Sequence, residues 1–176
     1  IPGFALSIMS LSPPGGDRLT KAEFEQGIRR NQDKLFRMAY LSLRSYADCQ
    51  DAVQDTLLKG WAARDSLKHA EYFDTWITRI LLNVINDFCR RAARRLTSEL
   101  TNEIPADFAP PDPDLRDAIR ALDGKLRAPL LLRYIAGYSI GETARLLRIT
   151  PAQVRWRLER AKKQLRAQLG DKEEII

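Results

Sequence analysis

The side chains of this sequence best equipped to act on another molecule are cations and aromatics, not nucleophiles. Between Thr150 and Arg166 stand Arg155, Arg157, Arg160, Lys162, Lys163 and Arg166, against the single acid Glu159, with Gln153 and Trp156 among them. Guanidinium groups pair bidentately with guanine in a major groove, glutamine pairs with adenine, and either can hold phosphates without reading sequence. A second concentration opens with Tyr72, Phe73 and Trp76, passes Arg79 and ends in Arg90, Arg91, Arg94 and Arg95. Aromatic faces stack on unpaired bases and arginines track the backbone. Core packing for the aromatics, above all Phe73, and a solvated helix end for the arginines are the plain alternatives. A third set is acidic: Asp48, Asp51 and Asp55 lie three and four residues apart, hence on one helical face. Such carboxylates repel one another unless a cationic partner meets them. The plain alternative is solvent exposure near a helix N-terminus, where the dipole favours anions.

Covalent and metal chemistry find little here. His69 is the lone histidine, and Cys49 and Cys89 lack CxxC spacing, so no closed Cys/His zinc site can be built. The cysteines are read as buried or half-exposed thiols of a reducing compartment. No nucleophile–base pair, phosphate-binding glycine loop or carboxylate pair in an apolar setting stands out. No catalytic residue, metal or cofactor is therefore assigned, and an enzyme is the least favoured of three readings.

The elements that must carry these side chains are helices. Ser139-Ile140-Gly141-Glu142 and Thr150-Pro151-Ala152-Gln153 each fit a capping box, the second with proline at the first helical position. Between them a short helix should turn Ile140, Ala144 and Leu147 inward, and Arg148-Ile149 should form a turn. The following helix places Val154, Leu158, Ala161 and Leu165 on one stripe. This is the layout of a helix-turn-helix, whose second helix enters the major groove. Gln153, Arg155, Trp156, Arg157, Arg160 and Lys163 are the residues expected to reach DNA. A solvated basic face on an ordinary packing helix is the alternative.

The 176 residues carry 29 Lys and Arg against 23 Asp and Glu, a net charge of +6, which suits a polyanionic partner. No apolar run approaches bilayer length. The chain starts without methionine and Met9 opens a polar Pro/Gly stretch, so residues 1–8 are expected to precede the native start and 1–19 to be disordered or foreign. Residues 20–96 read as helices throughout. Leu35, Phe36, Ala39, Tyr40 and Leu43 mark one, and Ala52, Val53, Thr56, Leu57, Gly60 and Trp61 a second. A long third opens with Tyr72, Phe73 and Trp76 and runs through Ile80 and Val84 to a core Phe88. Residues 97–113 hold Pro105, Pro110, Pro111 and Pro113 with acids and no Lys or Arg, and read as a flexible acidic tether. Residues 114–170 are helical again, opened by Leu115, Ile119, Leu122 and Leu126, with Pro129 starting or kinking a helix and Gly137-Tyr138 breaking it, before a tail at 171–176. The fold class is all-α: two small helical domains on a tether, the second with the helix-turn-helix.

Two stretches resemble a known family. Asp51-Ala-Val-Gln-Asp-Thr-Leu-Leu-Lys-Gly-Trp61, followed by Trp76 to Arg91, looks like the second conserved region of sigma-70-type sigma factors. Leu131 to Ala144, followed by Val154-Arg-Trp-Arg-Leu-Glu-Arg-Ala161, looks like the fourth. Their order, with a short linker and no intervening domain, resembles the extracytoplasmic-function group. Leu57-Leu58, Gly60, Asp123-Gly124 and Pro129 depart from the pattern. The resemblance implies that Asp48, Asp51, Gln54 and Asp55 grip the clamp helices of core RNA polymerase. It also implies that Ser66 to Glu71 and the next helix melt the minus-ten element, with Lys68, His69, Tyr72, Trp76, Arg79, Asn83, Arg90 and Arg91 on DNA. The helix-turn-helix would read the minus-thirty-five element. The expected partners are core polymerase, promoter DNA and an anti-sigma factor, with no small-molecule substrate and no direct membrane insertion. The expected place of action is the cytoplasm, with sequestration at the inner face of the membrane by the anti-sigma factor. A stand-alone regulator that binds palindromic sites as a dimer is the competing reading.

Overall fold

The computed structural model describes residues 19–94 and 112–170, the side chain of Arg94 excepted. Every regular element among them is helical. Helix α1 (Lys21–Tyr40) starts at a capping box in which Thr20 and Glu23 satisfy each other's backbone amides. Helix α2 (Tyr46–Ala62) starts at Ser45, whose hydroxyl accepts from Asp48 N at 2.9 Å. Two 3-10 turns, Arg64–Ser66 and Ala70–Tyr72, lead into α3 (Phe73–Arg94).

These three helices pack closely because two glycines let them. A Cβ on Gly27 would lie 2.6 Å from Phe73 Cδ1, and one on Gly60 would lie 2.8 Å from Ile77 Cδ1. Gly60 costs helix propensity, about 1 kcal/mol against alanine, and the approach of α3 to α2 accounts for it. Phe24 stands edge-on to both Trp61 and Phe73, with centroids 5.3 and 5.6 Å away.

The second unit comprises α4 (Pro113–Ala121), α5 (Gly124–Leu130), a π-helical turn at Leu131–Ile135, α6 (Ile140–Leu147) and α7 (Pro151–Leu169). Leu130, Leu131, Leu132, Val154, Leu158, Ala161 and Leu165 are all buried at its centre. The two units do not stand apart: one contiguous buried cluster runs from Phe24 in α1 to Leu165 in α7.

Several sequence expectations need correction. Leu43 is buried but lies past the end of α1, because the chain turns at Leu41–Arg44. Tyr72 belongs to the preceding 3-10 turn, not to α3. Phe88 is half-buried, with the Arg91 guanidinium 4.7 Å from its ring, so it is a rim residue rather than core. Pro113 is the first residue of α4, behind an Asp112 cap, rather than the end of the tether. Leu122 and Leu126 do not continue α4. Asp123 caps a new helix there, its carboxylate accepting from Lys125 N at 2.7 Å. Pro129 sits inside α5, one residue before α5 ends, and the π-helical turn follows. In α6 the buried side chains are Thr143, Ala144 and Leu146, while Ile140 and Leu147 are half-buried. Leu19, expected in a disordered N-terminus, is buried against the core, while residues 1–18, 95–111 and 171–176 and the side chain of Arg94 lie outside the described residues.

Candidate nucleic-acid and polymerase surfaces

Both capping boxes of the helix-turn-helix are formed. Ser139 N donates to Glu142 Oε2 at 2.8 Å, and Thr150 N to Gln153 Oε1 at 3.0 Å. The bonds from Ser139 hold the Glu142 carboxyl below its ordinary range. The turn between the helices passes through Arg148 at φ 55°, ψ 46°, a left-handed residue that usually favours glycine. On α7, Val154, Leu158, Ala161 and Leu165 are buried, so the rest of the helix faces out. Gln153, Arg155, Trp156, Arg160 and Lys163 are exposed, and Arg157 is half-buried beside the packed stripe. The Gln153 side-chain carbonyl accepts from Thr150 N, which leaves its second lone pair and its amide nitrogen for other partners.

On α3, Trp76, Arg79, Asn83 and Arg90 recur at helical spacing and share one face, with Tyr72 preceding them on the same line. Tyr72, Arg79, Asn83, Arg90 and Arg91 are exposed and Trp76 is half-buried. Lys68 and His69 are exposed in the turns before α3, and the His69 ring meets Tyr72 edge-on, centroids 6.0 Å apart. Asp87 bonds Arg90 across one turn and lies 4.0 Å from Lys59. These partners hold its carboxyl below the usual range.

On α2, Asp51 is exposed and Asp48, Gln54 and Asp55 are half-exposed. Among the described residues no ion pair within 4.0 Å reaches Asp48, Asp51 or Asp55. Leu58, 41% exposed, follows Asp55 by three residues and widens the same face with an apolar side chain. Cys49 points the other way, into the core, where burial pushes its thiol up to about 12.

Nothing in the residue pattern signals how the two units meet. The last carbonyls of a helix lack intrahelical donors and carry partial negative charge. At the end of α1, Arg116 of the second unit supplies such a donor to the last carbonyl, and Arg120 and Arg127 bond carbonyls of the turn that follows. Arg116 lies with its guanidinium 3.6 Å from the Tyr40 ring and donates to Tyr40 O at 3.3 Å. Arg120 donates to Leu43 O and, at 2.9 Å, to Arg44 O. Arg127 reaches Ser42 O at 3.5 Å and Cys89 Sγ at 3.6 Å.

At the other end, Tyr138 inserts its hydroxyl against α3. It lies 2.9 Å from Asp74 O and 3.0 Å from Thr78 Oγ1, and Thr78 Oγ1 is itself 2.7 Å from Asp74 O. Two hydroxyl protons serve these three short contacts. Lys34 Nζ approaches the same phenol oxygen at 3.5 Å, and burial of the phenol pushes its pKa up. Arg79 Nη2 donates to Arg145 O at 3.3 Å, so one expected DNA contact is partly engaged by α6. In the sequence, Arg116, Arg120, Arg127 and Tyr138 look like ordinary helix-surface and turn residues. Only the burial of Arg116 marks its role, and burial is a tertiary property.

Comparison with known proteins agrees with this architecture. Residues 28–95 match the family described as Sigma-70 region 2, and residues 113–165 match Sigma-70, region 4. The ECF RNA polymerase sigma factor SigM of Mycobacterium tuberculosis is 31% identical over 159 residues, covering 88% of this chain and 80% of that one. The RNA polymerase sigma-E factor of Streptomyces coelicolor is 29% identical over 84% of this chain and 86% of its own. Among solved structures, the sigma factor RpoE in complex with the anti-sigma factor NepR from Bartonella quintana superposes with a TM-score of 0.73. That match is 24% identical and covers 85% of this chain and 98% of that one. CnrH in complex with the cytosolic domain of CnrY gives 0.65 at 28% identity, covering 84% and 88%. Among the described residues no helix is long and apolar enough to cross a membrane, and no three His, Cys, Asp or Glu side chains gather as a metal group.

Proposed function

The chain belongs to the extracytoplasmic-function sigma factors of RNA polymerase, and on that premise we propose how its surfaces divide the work of promoter recognition. As a sigma factor it binds core RNA polymerase and directs it to promoters for transcription initiation. The face of α2 carrying Asp48, Asp51, Gln54 and Asp55 meets the polymerase clamp. Its three carboxylates are ready for cationic partners, and Leu58 extends the contact. The face carrying Tyr72, the half-buried Trp76, Arg79, Asn83 and Arg90, with Arg91 beside it and Lys68 and His69 before it, handles the melted minus-ten strand. Helix α7 reads the minus-thirty-five element with Arg155, Trp156, Arg160 and Lys163. Arg157 takes a phosphate, because its half-buried stem keeps it at the helix flank. Gln153 acts first as a cap. The protein catalyses no reaction itself, works in the cytoplasm, and is held in check by an anti-sigma factor.

The observation that carries this reading is α7: a helix whose apolar stripe is fully buried behind two formed capping boxes, leaving an exposed face dominated by cations. The docked arrangement fits the reading as a resting state. The minus-ten and minus-thirty-five elements are about 25 base pairs apart, about 85 Å at the duplex rise. A compact chain of this length has a radius of gyration of about 16 Å. The two units must therefore separate before both elements are engaged.

Transcription in vitro from fragmented host DNA, with core polymerase plus or minus this protein, tests the proposal. New start sites sharing two spaced upstream elements are expected. Charge reversal of Asp51 and Asp55 to arginine should weaken holoenzyme formation. Unchanged affinity for core polymerase would remove the clamp assignment. A dimer in solution that binds an operator tightly without polymerase would instead support a stand-alone regulator.

A further inference from the structure

Trp156 is 59% exposed, the most exposed large hydrophobic side chain among the described residues. It lies two residues past Val154 and two before Leu158, and at 3.6 residues per turn it points away from the buried stripe of α7. It is not among the partly buried hydrophobics that lean on the core. Its ring face is instead taken by the Arg160 guanidinium, 5.4 Å from the centroid one helical turn on.

The surroundings choose the occupant of this apolar outpost. Arg155, Arg160 and Lys163 are exposed around it, and the one acid nearby, Glu159, is turned aside to Lys162 at 3.6 Å. A cationic rim around a large apolar surface suits a polyanion that presents an apolar group between its charges. Duplex DNA does so in the major groove, where thymine projects a 5-methyl group between phosphate walls. Docking of the two units leaves this face uncovered, so it is available from the start.

We propose that Trp156 is a specificity-determining residue, its indole packing on the 5-methyl group of one thymine in the upstream promoter element. The inference rests on the reading of α7 as the helix that enters the major groove there. Arg160, leaning on the indole, is pre-set for the adjoining base pair or its phosphate.

The test uses holoenzyme made with the wild-type chain, Trp156→Ala or Trp156→Phe, on promoter fragments randomised in the upstream element. The wild type should select thymine at one position, and Trp156→Ala should lose preference there while keeping its neighbours. Deoxyuridine, which lacks only the methyl, is then placed at that position. Wild-type binding should fall about fourfold, the effect of burying one methyl group. Trp156→Ala should be indifferent to the change, and Trp156→Phe intermediate. Equal sensitivity of wild type and Trp156→Ala to deoxyuridine would overturn the proposal. So would insensitivity of the wild type at every selected thymine, including the case where Trp156→Ala loses only a guanine preference set by Arg160. Failure of the underlying reading looks different: the wild-type holoenzyme would initiate but show no upstream base preference at all. Because Trp156 packs outside the core, helix content by circular dichroism should be unchanged in both variants, separating recognition from folding.

Discussion

Tyr138→Phe isolates one hydroxyl at the seam between the two units. The phenol oxygen lies 2.9 Å from Asp74 O, 3.0 Å from Thr78 Oγ1 and 3.5 Å from Lys34 Nζ. Removing it leaves no orphan on α3, since Thr78 still donates to Asp74 O at 2.7 Å. The ring stays, and so does the Lys34 ammonium over it at 5.2 Å. What is lost is one neutral hydrogen bond and a long acceptor contact to a half-buried ammonium, about 1–2 kcal/mol together. That shifts the balance between docked and separated units by roughly 5- to 30-fold. Donor and acceptor dyes on Gln32→Cys in α1 and Gln164→Cys in α7, both exposed positions, with Cys89→Ser, would read it. The low-transfer population should rise in Tyr138→Phe while helix content holds. Lys34→Met, which keeps the phenol and its two oxygen contacts, should shift the population less. An unchanged population in Tyr138→Phe would refute the reasoning, because the hydroxyl would then add nothing to docking.

Three other expectations follow from particular contacts. Gly27→Ala forces a Cβ to 2.6 Å from Cδ1 of the buried Phe73 ring, and an overpacking cost of about 1–3 kcal/mol outweighs a propensity gain of about 1 kcal/mol. The thermal midpoint should drop, and a rise would show that the ring yields freely. Cys49 is buried with its thiol pushed up, whereas Cys89 is half-buried at the seam, so a thiol reagent at about pH 8, near the ordinary thiol pKa, should modify one cysteine in the folded protein and two in denaturant. Loss of the fast reaction in Cys89→Ser identifies it, and modification of Cys49 at the same rate would contradict the packing. Glu142 is held below its ordinary pKa by Ser139, so its contribution is complete above the unfolded value and fades as pH falls through the folded one. Acid titration of the Glu142→Gln variant should show a shallower loss of stability below about pH 4.5 than the wild type, and identical acid limbs would count against that cap.

Much of this protein was legible in the sequence because the informative signals are local. A capping box needs only residues three apart, so Ser139 with Glu142 and Thr150 with Gln153 announced both helix starts. The stripe Val154, Leu158, Ala161 and Leu165 follows from helical period alone, and with it the outward direction of Trp156 and the arginines. The basic and acidic faces were likewise set by spacing.

Tertiary structure alone decided the rest. Whether Phe88 is core or rim depends on what lies across from it, and the chain places Arg91 there. Gly60 reads as a flaw in a helix until Ile77 is seen to need the space. The docking of the two units was invisible in the sequence for the same physical reason. Its bonds join residues such as Arg116 with Tyr40 and Tyr138 with Asp74, 76 and 64 positions apart. No periodicity links such partners. A carbonyl left open at a helix end or in the turn after it accepts from whichever donor the packing brings, so the choice of Arg116, Arg120 and Arg127 could be made only in three dimensions.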